Sequence, residues 1–342
     1  MIHVRIEFDD FLHRRDTLAK RRWTRDRSRP NHHKEDHNMP RPTLFSALRR
    51  PARLALGLVL ISLSTAASAG ATLEHIRVTG KIVLAHRESS SPFSYLDGEK
   101  RPVGYALDLC LKLADAVKKK LDMKTLVIEY VMVTPSTRIA TMEEGKADLE
   151  CGSTTNNAER RNKVAFTVPH YIAGARYMVR ADNPATDLVG LESQRVVSTK
   201  GSTPVKAIER ANKERVLHLT LQEAPDNARA VEMVEKGESD AFVMDDIVLY
   251  GLIAKSPQPE KFKVIGKFLT IEPLAIMLPK GDPEFKAILD SEMKRMIVSK
   301  EAQAIYDRWF MKPIPPKNTS LNLPMNYLLR DFWKYPTDQV PG

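Results

Sequence analysis

The sequence predicts an α/β fold with two similar lobes, and three observations carry that prediction. Strand-like and helix-like segments alternate along most of the chain after residue 70, which is typical of mostly parallel sheets flanked by helices. About 270 residues follow that point, enough for two lobes with cores of their own. The segments 142–149 and 234–241 also echo each other, since each predicts a helix end, a glycine, a short loop and a buried strand.

The first 69 residues have the layout of an export leader. Arg49, Arg50 and Arg53 precede the apolar run 54–61, and small residues follow at 67–69. This pattern is typical of a cleaved signal peptide and is too short to span a membrane stably. We therefore interpret 39–69 as the signal peptide and 1–38 as an over-extended start. A cytoplasmic tail or a basic nucleic-acid arm does not fit in front of an export signal.

The leader accounts for most of the positive charge. It holds 14 of the 53 basic and 7 of the 43 acidic residues, so the rest of the chain has a net charge of only +3. The high content of basic residues is therefore no indication of nucleic-acid binding, and no nucleic-acid partner is expected. Neither cysteine is the first residue after the cleavage site, so the leader does not have the layout of a lipoprotein. It therefore predicts an unlipidated protein of a Gram-negative periplasm.

The alternation gives the elements in order. The predicted strands are 81–86, 126–132, 147–151, 171–180, 196–198, 216–220, 240–244 and 262–265, and the predicted helices are 104–121, 136–144, 203–213, 227–236, one from 245, 283–298 and 300–311. For the helix at 136–144, Thr134 is the expected N-cap and Pro135 the first helical residue.

The two cysteines, Cys110 and Cys151, are both expected to be buried. Cys110 lies on the apolar face of the amphipathic helix 104–121, and Cys151 ends a buried strand. An oxidising compartment permits a disulfide between them. Two separate buried thiols are the alternative, and the disulfide is only slightly favoured.

A polar stretch at 150–160 follows the strand at 147–151. It offers the hydroxyls of Ser153 and Thr155 and the planar guanidinium of Arg160. Ligands of open α/β sheets bind outside the carboxyl ends of strands, and these groups suit a carboxylate or phosphate. For an isolated loop, an N-cap and a surface arginine would be the simpler interpretation.

In the second lobe, Asp245 and Asp246 follow the predicted strand 240–244, which corresponds to the strand 147–151 of the first lobe. If the lobes face each other across a cleft, Asp245 can bind the ammonium of an amino acid whose α-carboxylate lies on Arg160. N-capping of the following helix is the alternative interpretation for both aspartates, and it is favoured for Asp246 over Asp245.

Two further arginines fit this cleft. Arg87 directly follows the strand 81–86, and Arg138 lies in the first turn of a helix, where a cation opposes the helix dipole. Three arginines and one opposing aspartate indicate a ligand with two carboxylates and one ammonium.

No catalytic constellation stands out. P-loop, GxGxxG, HExxH and CxxC motifs are absent from the sequence, and the four histidines after the leader have no paired nucleophile. No cofactor and no metal are expected.

These residues also carry a family resemblance over about 74–335. The stretches His86-Arg87-Glu88-Ser89-Ser90, Val103-Gly104-Tyr105, 150–160, Met244-Asp245-Asp246 and 313–318 resemble a periplasmic solute-binding protein of the polar amino-acid ABC-transporter family. Within it, the match is closest to the glutamate/aspartate-binding type.

The resemblance implies the two-lobed periplasmic-binding-protein fold of type II, with hinge strands near 172–178 and 270–276. It implies a first lobe from 70–174 and 272–312, a second lobe from 175–271, and a C-terminal tail from 313–342. It also implies a monomer that delivers glutamate or aspartate to the ABC permease in the inner membrane.

The resemblance assigns roles residue by residue. Ser153, Thr155 and Arg160 match residues that hold the α-carboxylate, and Asp245 matches the one that holds the α-amino group. Arg87 and Arg138 are similar to the clamp on the side-chain carboxylate. The remaining residues expected at the ligand are Ser89, Thr199, Ser202 and Asn227.

Two departures from the family pattern affect ligand identity. Pro135 stands where acidic-ligand members tend to have serine, and Asn227 stands where they have histidine. Glutamine or asparagine is therefore an alternative ligand. A periplasmic enzyme of the same bilobed fold, of dehydratase or lytic-transglycosylase type, is an alternative function, and it would need an unpaired cleft acid with a raised pKa.

Overall fold

The computed structural model describes residues 70–340, so the predicted leader and signal peptide lie outside the described residues. The helices are α1 (Ala71–Thr79), α2 (Tyr105–Lys120), α3 (Arg138–Glu143), α4 (Ala158–Arg161), α5 (Thr203–Arg215), α6 (Asn227–Glu235), α7 (Asp246–Lys255), α8 (Pro283–Val298), α9 (Glu301–Phe310) and α10 (Tyr327–Phe332). Within this range, none of the helices has the length and apolar character needed to cross a membrane.

The strands are short and alternate with these helices. They are β1 (Lys81–His86), β2 (Ser89–Ser90), β3 (Ser94–Leu96), β4 (Pro102–Val103), β5 (Val127–Met132), β6 (Leu149–Glu150), β7 (Val164–Phe166), β8 (Tyr171–Ala173), β9 (Ala175–Arg180), β10 (Arg195–Thr199), β11 (Thr220–Ala224), β12 (Ala241–Asp245), β13 (Phe262–Ile265), β14 (Glu272–Leu274), β15 (Met277–Pro279), β16 (Pro313–Ile314) and β17 (Thr319–Ser320).

Two five-stranded sheets form the two lobes. The first has the order β5-β1-β6-β15-β7 and the second has the order β11-β10-β12-β9-β13. In each sheet three neighbouring strands pair in parallel, and one strand, β15 or β9, runs antiparallel to its neighbours. The predicted α/β fold with two similar, mostly parallel lobes is confirmed.

The chain passes between the sheets through one short antiparallel pair, β8 with β14. In this pair Glu272 lies opposite Ala173 and Leu274 lies opposite Tyr171. Because β8 leads from β7 into β9 and β14 leads from β13 into β15, the pair is the hinge between the lobes.

The C-terminal segment packs against the hinge. The Asn326 side-chain amide donates to the Ile172 carbonyl at 2.8 Å, and the Trp333 indole N–H donates to the Pro169 carbonyl at 3.3 Å. The tail therefore braces the first lobe beside β8.

The predicted bounds of two elements were wrong. Helix α3 begins at Arg138 with Thr137 as N-cap, and Thr134 Oγ1 instead accepts a hydrogen bond from the Thr137 amide in the preceding turn. The edge strand β11 spans Thr220–Ala224 rather than 216–220. Its side chains are mostly exposed, so the strand lacks an apolar pattern. The apolar residues just before it have such a pattern, and the prediction therefore placed the strand too early in the chain.

Candidate functional site

Polar residues from both sheets meet at the carboxyl ends of their strands. In the first lobe, Arg87 follows β1, and Ser153 and Thr155 follow β6. In the second lobe, Ser202 follows β10 and Asp245 ends β12. This is the edge of an open α/β sheet where ligands bind.

Side chains of both lobes line a cavity of about 10 Å³. This is close to the volume that one water molecule needs, so the two lobes leave little free space between them at this point. The cavity is lined by Arg87, Pro135, Arg138, Ser153, Thr155, Ser202, Thr203, Pro204, Asn227, Met244 and Asp245.

Arg87 and Arg138 line this cavity as buried cations, with 3% and 2% of their surfaces exposed. Burial, reinforced by the positive charge of Arg138, lowers the pKa of Arg87 to about 9. Burial likewise lowers the pKa of Arg138. Both remain cations at neutral pH, and buried cations are costly until anions pair with them.

Arg160 is half-buried and lies in the short helix α4 beside the cavity. Its Nη1 donates to the Thr155 carbonyl at 2.9 Å, and its Nη2 reaches across the cleft to the Gly201 carbonyl at 3.2 Å. Burial and the nearby charge of Arg138 lower its pKa to about 9. The guanidinium is thus positioned by its own loop and also hydrogen-bonded to the backbone of the opposite lobe.

Asp245 is the acidic counterpart, and its surface is 3% exposed. Burial, together with the negative charge of Glu272, raises the pKa of Asp245 well above its usual range. Within residues 70–340, neither Asp245 Oδ1 nor Arg138 Nε has a hydrogen-bond partner. One cavity therefore has a buried acceptor and a buried donor that the protein itself does not satisfy.

Asp246 does not have the N-cap role predicted for it. Asp245 occupies the cap position of α7, without a side-chain capping bond, and Asp246 is the first helical residue. The Asp246 carboxylate accepts a hydrogen bond from the amide of Gly174, which follows hinge strand β8, at 3.4 Å. Burial raises its pKa to about 6.

Two buried carboxylates near the arginines were not among the predicted site residues. Glu150 is fully buried at the end of β6 and accepts a hydrogen bond from Thr154 Oγ1 at 2.6 Å. Its charge favours the cationic forms of Arg87, Arg138 and Arg160. A signal did exist in the sequence, because a glutamate inside an apolar strand needs a buried counter-charge.

Glu272 is the second of these carboxylates, and it opens hinge strand β14 with 3% of its surface exposed. It accepts a hydrogen bond from Thr203 Oγ1 at 2.9 Å. Thr203 begins α5 in the second lobe, 69 residues earlier in the chain, so no local pattern could have revealed the contact.

Asn227, Thr199 and Ser89 form a bridge between the lobes. Thr199 Oγ1 donates to Asn227 Oδ1 at 2.7 Å. Asn227 Nδ2 donates to the Ser89 carbonyl at 3.0 Å and lies 3.3 Å from Ser90 Oγ. Asn227 lines the cavity, whereas the Ser89 contact is made by its backbone.

The disulfide between Cys110 and Cys151 ties α2 to the loop that carries Ser153 and Thr155. Both cysteines are fully buried. The disulfide therefore anchors the first-lobe side of the cavity to the core.

Comparison with known proteins gives the chain its family. It is 36% identical over 298 residues to the glutamate/aspartate import solute-binding protein of Escherichia coli (strain K12), covering 86% of this chain and 99% of that protein. It is 39% identical over 270 residues to the L-glutamate/L-aspartate-binding protein of Pseudomonas aeruginosa, covering 79% of this chain and 89% of that protein.

A solved structure supports the fold in the same way. An ancestral amino-acid-binding protein, a precursor of cyclohexadienyl dehydratase, superposes with a TM-score of 0.59 at 28% identity over 70% of this chain and 99% of its own. Residues 82–312 match the family of bacterial extracellular solute-binding proteins, family 3. The predicted relationship is confirmed, and the chain belongs to family 3 of the bacterial extracellular solute-binding proteins.

Proposed function

We propose that this protein is the substrate-binding component of an amino-acid ABC importer and binds glutamate or aspartate between its lobes. The observation that carries the proposal is the pair of unsatisfied buried atoms in one cavity, Arg138 Nε and Asp245 Oδ1. An acidic amino acid supplies its side-chain carboxylate for the first and its ammonium for the second. The two relatives named above are glutamate- and aspartate-binding proteins.

Each end of the ligand has its own residues in this proposal. Arg160, with Ser153 and Thr155, holds the α-carboxylate, because a planar guanidinium and hydroxyls suit a carboxylate. Asp245 holds the α-ammonium. Arg87 and Arg138 hold the side-chain carboxylate, which gives their buried charges an anionic partner.

The second-lobe residues close the site. In the proposal Ser202, at the start of α5, contacts the ligand directly, and Thr199 acts through Asn227, to which it donates a hydrogen bond. Asn227 also bonds to the backbone of Ser89 in the first lobe. The contact between Asn227 and Ser89 can form only when the lobes approach each other, so it favours the closed, ligand-retaining arrangement.

The cellular part of the proposal follows from the family and the leader. The protein is exported to the periplasm by a cleaved signal peptide, acts there as a monomer, and delivers its ligand to the permease subunits in the inner membrane. Mass spectrometry of exported material tests the leader: a product beginning at or near Gly70 is expected, and one that retains residues 1–38 would contradict it.

An enzyme of this fold is the alternative function. Asp245 meets the main requirement of such an enzyme, a buried cleft acid with a raised pKa. However, the negative charge of Glu272 adds to that of Asp245, and a second negative charge nearby favours the binding of a cation such as the ligand's ammonium. We therefore propose that the protein binds its ligand without transforming it.

Titration calorimetry with glutamate, aspartate, glutamine and asparagine tests the proposed function. Tight binding of the two acidic ligands and weak binding of the amides are expected. Preference for the amides would overturn the acidic-ligand assignment. Recovery of the bound amino acid from the protein, followed by mass spectrometry, separates binding from catalysis: an altered product would support the enzyme.

A further inference from the structure

The two lobes also touch at the far end of helix α7, outside the cavity. The helix begins beside the hinge, where the Asp246 amide donates to the Gly174 carbonyl at 2.8 Å. Its last residue is Lys255, which is about 14 Å from that start because an α-helix rises about 1.5 Å per residue. A rotation of the second lobe about β8 and β14 would therefore displace this end of the helix further than its beginning.

Lys255 lies over an aromatic ring of the first lobe. Its Nζ is 4.2 Å from the centre of the Tyr95 ring, within the range of a cation–π interaction. Tyr95 is fully buried, and its hydroxyl donates to the Pro315 carbonyl at 2.7 Å, so the ring is held in place by the first lobe. Burial lowers the pKa of Lys255 to about 8, and a partly desolvated ammonium gains more from such a ring than a hydrated one.

Lys317 makes a second contact with the same end of α7. Its ammonium donates to the carbonyl of Ser256, the C-cap residue of the helix. The last carbonyls of a helix have no partner within it and form the negative end of its dipole, so a lysine is favourable there. Lys317 lies in the turn between β16 and β17, and Pro315 lies in the same turn. One turn beside the first lobe therefore supports both contacts.

We propose that Lys255 and Lys317 form a latch that stabilises the closed arrangement of the lobes and slows release of the bound amino acid. The inference rests on the proposed binding of an amino acid between the lobes. Of the residues that the structure describes, those that line the cavity include neither lysine. Because the latch contacts the closed protein and not the ligand, it strengthens the binding of every amino acid by the same factor. The two lysines are thus positioning residues.

Amine labelling tests whether the latch forms on closure. The mature protein is acetylated with sulfo-N-hydroxysuccinimide acetate, with and without saturating L-glutamate, and its peptides are analysed by mass spectrometry. Glutamate should slow the acetylation of Lys255 and Lys317, because both amines are engaged between the lobes when the lobes close. Lys280 is the control within the same molecule. Its ammonium donates to the Asn162 carbonyl at 2.7 Å inside the first lobe, so its acetylation should not depend on glutamate.

Two variants test whether the latch retains the ligand. Lys255→Gln removes the cation from the ring, and Lys317→Met removes the donor to Ser256. Each should release radiolabelled glutamate about twofold to tenfold faster than the wild type, while the association rate stays the same because the latch forms after the ligand has entered. Calorimetry should show the affinities for glutamate and aspartate falling by one common factor. Lys280→Met should keep the wild-type rates and affinities.

The outcomes separate the two proposals. A wild type that binds none of the amino acids would overturn the proposed function and the latch with it. Glutamate binding that leaves the acetylation of both lysines unchanged would overturn the latch alone. So would Lys255→Gln and Lys317→Met variants that are folded by circular dichroism and release glutamate at the wild-type rate. Unequal losses for glutamate and aspartate would also count against the latch, because the lysines would then act on the ligand itself.

Discussion

Arg160 donates a hydrogen bond across the cleft to the backbone carbonyl of Gly201, 3.2 Å away. Gly201 has a φ of +79°, and a Cβ atom there would lie 2.7 Å from Ser136 Cα in the opposite lobe. The absence of a side chain at 201 therefore permits this approach, and the carbonyl occupies one donor of the arginine that we assign to the ligand's α-carboxylate.

Arg160→Ala should abolish binding of every amino acid. The α-carboxylate would be buried without its guanidinium, and breaking a buried pair costs about 3–5 kcal/mol. Calorimetry with glutamate, aspartate, glutamine and asparagine checks this. The control is Arg161→Ala, which changes the next residue of the same helix, whose guanidinium bonds to Asn156. Unchanged affinity in Arg160→Ala would show that another group holds the α-carboxylate.

Arg87→Ala and Arg138→Ala should act selectively. Each removes a positive charge from the side-chain end of the ligand, so glutamate and aspartate should lose about a hundredfold or more in affinity. Glutamine and asparagine need no counter-ion there and should be affected much less. If either variant loses all four ligands equally, its arginine does not hold the side-chain carboxylate.

Removal of the disulfide should lower stability. Cys110 and Cys151 are 41 residues apart, and closing a loop of that length stabilises a chain by about 4 kcal/mol in the loop-entropy model. Urea unfolding of the oxidised protein and of Cys110→Ala/Cys151→Ala compares their free energies of unfolding. Thiol counting under denaturing, non-reducing conditions should find no free thiol, and two free thiols would contradict the disulfide.

The sequence predicts that the arginines and Asp245 lie at the ligand site, because a simple rule governs their positions. Residues that follow parallel strands of one sheet meet at its carboxyl edge, and these edges of the two sheets bring Arg87, Ser153 and Asp245 to one cavity. The rule does not identify Glu272 as a site residue, because Glu272 contacts its partner Thr203 only through the packing of one lobe on the other. The bounds of the polar edge strand Thr220–Ala224 were not predicted for a different reason. An exposed strand lacks the apolar run by which buried strands are identified.

His170 should make the protein acid-sensitive independently of ligand binding. It is fully buried, with its ring centroid 5.7 Å from that of Phe93 and 5.5 Å from that of Tyr105. Burial lowers its pKa to about 3, whereas the unfolded chain has a pKa of about 6.5. Below 6.5 the unfolded state binds more protons, so stability falls as pH decreases through that window.

The size of the effect is measurable. Linkage gives a loss of about 2 kcal/mol between pH 7 and pH 5 from this group alone. In His170→Phe, urea unfolding at several pH values should show a shallower decrease over this range. His75→Gln, at an exposed position, should keep the wild-type slope. Equal slopes in all three proteins would mean that His170 is not the group responsible.

Gly251 allows α7 of the second lobe to lie close to the backbone of Ser91 in the first lobe. It lies in α7, which packs on the sheet of the second lobe, and a Cβ atom at this position would lie 2.7 Å from the Ser91 carbonyl carbon and closer still to its oxygen. Backbone atoms cannot rotate away as a flexible side chain can. Gly251→Ala should therefore hold the lobes apart and weaken binding of all amino acids alike, because only the closed fraction retains ligand.

The variant should not lose stability through its helix. Alanine is favoured over glycine in a helix interior by about 1 kcal/mol, so weaker binding without a lower free energy of unfolding would identify obstructed closure. Calorimetry should show a loss of about tenfold or more in affinity, and small-angle scattering with saturating glutamate should show a larger radius of gyration than the wild type. Gly98→Ala is the control, because its Cβ would meet only Pro316 Cβ at an ordinary 3.6 Å. If Gly251→Ala binds glutamate like the wild type and closes to the same radius, the contact between α7 and Ser91 does not limit closure.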